Sequence, residues 1–269
     1  MLTHTFQHLP GVGPVTEEAL WRAGITTWEE FLRWSAASPL AWTVAAAAVL
    51  RESLRRLQGG DGAFFADHLP GRERWRLYRE FRGRTAFLDI ETTGFLGSGV
   101  VTLVGLWDGR EYRALVRGRD LHLLPEALRP YSLVVTYNGA RFDIPFLEGE
   151  FGPLFRGMAH LDLLYPLRRL GYRGGLKGVE VLAGVARPSN LQGLDGFDAV
   201  RLWTLHQKGH RGALPTLIRY NAEDVVVLHS LAVLAYNALL RSIPLPVPPL
   251  DVPPRPQVDL PYDEGLVEW

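Results

Sequence analysis

Residues 85–138 constrain the fold most. The stretches 85–91, 99–107, 111–116 and 132–138 read as strands, and Asp108-Gly109 is a short hairpin signal between the second and third. Downstream, residues 162–170, 176–183, 198–207 and 220–240 turn to helical spacing, most strongly in the last. Three consecutive strands, then helices alternating with strand, suggest an α/β chain with a mixed sheet flanked by helices.

The flanks differ in character. Residues 1–58 read as a small all-helical module. Pro10-Gly11-Val12-Gly13-Pro14 makes a tight turn, Thr16 is placed to cap a helix running to Arg22, and Gly24 stops it. Thr27-Trp28-Glu29-Glu30 is a capping box, Ser38-Pro39 opens a third helix, and Gly59-Gly60 ends it. Residues 59–84 form a connector with arginines at 72, 74, 76, 79, 82 and 84 against Glu73 and Glu80. Residues 85–240 carry the α/β pattern. Residues 241–269 are rich in proline, which excludes helix and central strand and favours an extended tail.

The chain has 269 residues, 47% apolar, enough to bury a sizeable core. Its 29 basic and 29 acidic residues cancel, so whole-molecule basicity gives no argument for a nucleic-acid partner. All but two of the basic residues, Lys177 and Lys208, are arginine, which reads first as genome composition. Without cysteine there is no disulfide framework, thiolate zinc site, CxxC redox motif or cysteine nucleophile. The N-terminus shows no basic region followed by an apolar run, and the longest greasy stretch, 44–50, is too short to span a bilayer. The expectation is a soluble, cytoplasmic protein with no membrane partner.

The informative residues are acids in apolar settings. In Ala86-Phe87-Leu88-Asp89-Ile90-Glu91, strand alternation puts Asp89 and Glu91 on one face and Ile90 on the other. Two like charges on an interior strand repel and lose hydration, unless a hard cation such as Mg²⁺ lies between them. The alternative is a pair at the strand's exposed end, before the Thr92-Thr93-Gly94 turn. Asp143 stands at a helix start after Asn138-Gly139, where a plain N-cap is the competing reading. On the last helix, the apolar stripe through Val227, Leu228 and Leu231 extends back through Asp224 and Tyr220, while Glu223 points elsewhere. An aspartate hydrogen-bonded at the core rim is the alternative there.

Taken together in this order, the three segments resemble the DEDD exonucleases, a family on the ribonuclease H-like fold. Phe87-Leu88-Asp89-Ile90-Glu91-Thr92-Thr93-Gly94 matches its D-x-E motif, and Asn138-Gly139-Ala140-Arg141-Phe142-Asp143 its N-x-x-x-F-D motif. Tyr220 to Asp224 matches Y-x-x-x-D of the tyrosine-type subgroup. The wording from Tyr137 to Leu147 is similar to the proofreading domains of family B polymerases. His160 to Leu170 is similar to stand-alone bacterial YprB-like proteins.

The resemblance implies a ribonuclease H-like core and a metal-dependent 3′→5′ exonuclease, with DNA favoured as substrate. It implies two Mg²⁺ or Mn²⁺ ions, about 3.5–4 Å apart in such sites. Asp89 would bridge both, Glu91 and Asp224 would hold the water-activating ion, and Asp143 would support the other. Tyr220 would orient the attacking water. Asn138 and Phe142 are substrate-contact candidates, and Asp162 is either a further acid or a helix cap.

Residues 9–25 resemble a helix-hairpin-helix element, whose Gly11 and Gly13 would let backbone N–H groups approach a phosphate. Pro14, Glu17 and Glu18 count against that, and a plain helical turn is the alternative. The 72–84 arginines, Arg168, Arg169, Arg173 and Lys177 offer positive charge, and Tyr172 and Trp203 offer stacking surfaces. His206 and His210 lack a third ligand and do not suggest zinc. Two rivals remain: an RNA-trimming exonuclease using the same residues, and a non-catalytic nucleic-acid-binding adaptor.

Overall fold

The computed structural model describes residues 1–37, 40–187 and 196–267. Its centre is a mixed five-stranded sheet, ordered β3-β2-β1-β4-β5. The strands are β1 (Thr85–Thr92), β2 (Val101–Trp107), β3 (Tyr112–Val116), β4 (Leu133–Thr136) and β5 (Ala159–Asp162). β1 is antiparallel to β2, and β2 to β3; β4 is parallel to both β1 and β5.

Alternation along β1 sorts its residues as its sequence implies. Ala86, Leu88 and Ile90 join an apolar cluster with Phe146 and Leu147 of α7 (Asp143–Phe151) and Leu124 and Leu128 of α6 (Leu124–Leu128). Phe87 faces the other way, into a cluster with Val225 and Leu228 of α11 (Ala213–Leu240). β4 pairs with β1 only from Thr85 to Phe87. Past Phe87, β1 runs on beside β2 alone, and Asp89 and Glu91 lie on this overhang.

The N-terminal helices are α1 (Pro14–Arg22), α2 (Trp28–Ala37) and α3 (Ala41–Gln58). α1 begins at Pro14 with Gly13 as its N-cap, so Thr16 lies inside it; proline's fixed φ suits the first helical position. The Thr27–Glu30 bonds of the capping box are present: Glu30 N–H to Thr27 Oγ1 at 3.2 Å and Thr27 N–H to Glu30 Oε2 at 2.9 Å. Ser38-Pro39 lies outside the described residues. Only a 3-10 turn, Leu2–His4, precedes the glycine hairpin.

The connector is folded. It forms α4 (Gly62–His68), a 3-10 turn (Gly71–Leu77) and α5 (Tyr78–Phe81). Trp75, Leu77, Tyr78 and Phe81 enter the same apolar cluster as Phe6, Trp28 and Phe31 of the N-terminal segment and Tyr236 of α11.

After the sheet come α8 (Leu164–Arg169), α9 (Gly175–Leu182) and α10 (Gly196–Gln207). α8 falls within the helix expected over 162–170, and β5, which overlaps it only at Asp162, is an addition the sequence does not signal, because four residues are too few to show strand alternation. Strand 132–138 closes at Thr136, and 99–107 opens at Val101. α11 starts seven residues before Tyr220, because Pro215 sits in its first turn, where no intrahelical N–H bond is required. By length and composition α11 could also cross a membrane, and it outruns 44–50 as the longest apolar stretch, yet it is mostly buried here.

The tail has no helix or strand from 243 to 263 and runs back along α11. Asn237 exchanges two bonds with Leu250, Ser230 donates to the Pro253 carbonyl, and the Asp263 N–H donates to Thr216. Arg255 bonds Glu223, which is buried rather than solvated.

Candidate metal centre

Two carboxylates come from the β1 overhang and one from α11, which crosses that face of the sheet. Asp89, Glu91 and Asp224 each offer an oxygen within 4.8 Å of the others. Asp143 is the first residue of α7, with Phe142 in the N-cap position, so it is not a plain cap. Its oxygens are not part of that close group of three, but it is 3% exposed and raises the proton affinity of Asp89 and Glu91 through space.

The electrostatics are those of a negative cluster short of cations. Burial, then the neighbouring acids Asp143, Glu91 and Asp224, push the Asp89 carboxyl well above the usual range. Burial and Asp224 do the same to Glu91. Burial raises Asp143 to about 7, against the pull of backbone N–H groups including that of Ile90. That N–H belongs to the part of β1 that β4 has left unpaired.

Tyr220 lies one helical turn before Asp224 and is 6% exposed. Burial, with the Asp224, Glu91 and Asp89 charges, raises its phenol far above the ordinary value, so it stays protonated at neutral pH. Tyr220, Phe142, Phe95 and Phe197 line a cleft of about 750 Å³ that the three close acids floor.

Asn138 sits in the loop before α7 with φ at 64°, a left-handed conformation that asparagine tolerates better than most residues. The next residue must be glycine, since a Cβ there would collide with the Thr136 side chain. Asp162 accepts bonds from the N–H groups of Asn138 (2.7 Å), Ala140 (3.1 Å) and Leu164 (3.0 Å). It therefore ties this loop to the start of α8, whose N-cap is Leu163, and its charge also raises the Asp143 carboxyl. Gly11 and Gly13 lie in the distant N-terminal hairpin, Gly11 at φ 76°.

Sequence reasoning missed Asn221, Gly105 and Arg187. Asn221 is fully buried, and its Nδ2 donates to Asp89 Oδ2 (3.0 Å) and Glu91 Oε1 (3.2 Å). Its Oδ1 accepts from the Tyr112 hydroxyl at 2.9 Å. Gly105, opposite Asp89 on β2, makes room for it: a Cβ there would overlap the Asn221 side chain. Arg187 bonds one oxygen of Asp224 and both oxygens of Glu180. The local signals were an asparagine beside Tyr220 and a glycine in an otherwise apolar strand. Lys177, one of two lysines in the chain, stands 5.3 Å from the Tyr220 ring centroid.

Residues 86–236 match the RNase_H_2 family, described as RNase_H superfamily. Among solved structures, the chain is similar to the family B DNA polymerase from the hyperthermophilic archaeon Pyrobaculum calidifontis. That likeness has 21% identity and a TM-score of 0.42, over 58% of this chain and 24% of that one. The chain thus spans about a quarter of the polymerase's length. No curated protein matches the chain.

Proposed function

This chain belongs to the ribonuclease H superfamily, and on that premise we propose that it is a metal-dependent exonuclease of the tyrosine-type DEDD group, hydrolysing DNA from the 3′ end with two Mg²⁺ or Mn²⁺ ions. The observation that carries this reading is the close group of Asp89, Glu91 and Asp224, whose oxygens meet within 4.8 Å. The donor set fits hard divalent ions: carboxylate oxygens only, with Asp143 adding a fourth negative charge nearby. Arg187 does not fill the need, because it divides its bonds between Asp224 and Glu180.

Asp89 would hold both ions, Glu91 and Asp224 one, and Asp143 the other. When bound, such ions supply an acidic water and charge stabilisation at the phosphate oxygens. The remaining work falls to the protein. Asn221 keeps the Asp89 and Glu91 carboxylates in register, and Arg187 fixes the orientation of Asp224. Tyr220, held protonated, orients the attacking water as a hydrogen-bond partner rather than as a base. Phe142, on the cleft wall, stacks on the terminal base, and Asn138 shapes the loop behind it. The Gly11–Gly13 hairpin is a second phosphate contact. Glu17, the nearer adverse charge, is turned inward onto Arg76.

The test is end-labelled single-stranded DNA incubated with Mg²⁺, with Mn²⁺ and with chelator. Metal-dependent shortening from the 3′ end is expected. Cleavage of RNA alone would move the substrate class, and no metal-dependent product from either would favour a non-catalytic adaptor.

A further inference from the structure

Loop 138–142 is shared by two cavities. Phe142 lines the acid cleft, and Ala140 lines a second cavity of about 390 Å³. Ala140 and Phe142 are two residues apart, at most about 7 Å along the chain, and no other described segment lines both cavities. The second lies between the 3-10 turn Gly71–Leu77 and α8, the arginine-rich segments that the metal site does not use.

Its chemistry is cationic at the rim and apolar inside. Arg72, Arg74 and Arg169 line it against one carboxylate, Asp162, which already accepts three backbone N–H bonds. Arg72 and Arg169 both face buried Glu73, at the long distances of 3.7 and 3.4 Å, while Arg76 bonds the other Glu73 oxygen at 2.8 Å. Arg76 is paired to Glu17 as well, so two carboxylates stand against three guanidinium groups and one positive charge is left over, on the Arg72 and Arg169 side. Buried Trp75 contributes apolar lining, and Tyr165, 48% exposed on α8, offers a ring face at the edge.

We propose that this cavity is a nucleotide subsite, holding the base and phosphate of an upstream nucleotide in the single DNA strand whose 3′ end enters the acid cleft. The strand's direction rests on the exonuclease reading; the recognition rests on guanidinium groups for phosphate and an aromatic face for the base. The cavity is of a size that takes a small organic ligand, and its position explains why Asp162 is spent on bracing the shared loop.

The experiment measures fluorescence anisotropy of a labelled thymidine dinucleotide and ten-mer. Protein carrying Asp89→Asn is used, so that DNA is not consumed, with and without Arg72→Ala/Tyr165→Ala. The ten-mer is expected to lose about ten-fold in affinity, the scale of one lost stack and one phosphate contact, and the dinucleotide less than two-fold. Arg72→Glu repeats the test with reversed charge at a side chain 62% exposed, where folding is not at stake. Unchanged ten-mer affinity, or equal losses at both lengths, overturns the subsite. Hydrolysis by the wild type is read separately. If it is absent while the length-dependent loss persists, the exonuclease reading falls and the subsite stands; hydrolysis with no such loss does the reverse.

Discussion

Two groups of buried acids are treated in opposite ways. Glu17 and Glu73, 1% and 5% exposed, share Arg76. Arg76 reaches both Glu17 oxygens at 2.9 and 3.0 Å and Glu73 at 2.8 Å, while Glu17 also accepts the Phe6 N–H at 2.7 Å. This network joins α1 to the 3-10 turn ahead of the sheet, and its charge is met from within the chain. Asp89, Glu91, Asp143 and Asp224 are gathered with less compensation: Arg187 gives them part of one charge, Lys177 acts on Glu91 through space, and Asn221 gives neutral bonds. Removing a carboxylate from water costs much the same in either place. Where the chain supplies the partner, the group is structural. Where it leaves like charges facing each other, the missing charge comes, in the proposed function, from outside.

The largest expected effect breaks the second cluster. Asp89→Asn should lower the hydrolysis rate by about 10³-fold, the upper end of the scale seen when a key electrostatic group is lost, without lowering Tm, because a repelled charge is removed. A DNA assay beside calorimetry checks both halves. Activity near wild type, or a collapsed Tm, would contradict the contrast. Next comes the paired network. Arg76→Ala strands two carboxylates and should cost about 3–5 kcal/mol in urea denaturation. An unchanged midpoint would mean that the network carries little.

Tyr220→Phe should reduce kcat by about 10²-fold with little change in KM, because a misplaced water lowers turnover more than binding. A KM rise at constant kcat would make the phenol a binding group instead.

The smallest effect is a pH trend. Asp89, Glu91 and Asp143 have raised folded pKa values, Asp143 to about 7. Their protonated forms favour the metal-free fold below the unfolded carboxylate range, and that stability is lost as pH rises through the folded values. Ions bind only the deprotonated forms, so the gain in Tm on adding Mg²⁺ should grow from pH 6 to pH 8.5. Subtracting the metal-free scan at each pH cancels the buried histidines. A flat or falling gain would contradict the assignment.

Much of this was legible in the sequence, for physical reasons. A period of two in 86–91 separates Asp89 and Glu91 from Ile90, and helical spacing brings Tyr220 and Asp224 to one face, so local geometry sufficed for both. Contacts between distant segments did not show. Asn221 reaches Asp89 only because Gly105 on the next strand lacks a side chain. Arg76 and Arg187 resemble every other arginine in a chain that uses almost no lysine, and only packing reveals that they are 2–3% exposed. β5 has four residues, too few for a pattern. The folded connector was hidden because its buried aromatics alternate with charges that pair inward.

The central claim is that the acid cluster is completed by cations from solution. Anomalous diffraction from crystals soaked in Mn²⁺ tests it most directly. The expected result is two peaks at the Asp89, Glu91 and Asp224 oxygens, with Asp89 touching both. A map without manganese there, with the Asp224 carboxylate still closed onto Arg187, would contradict it.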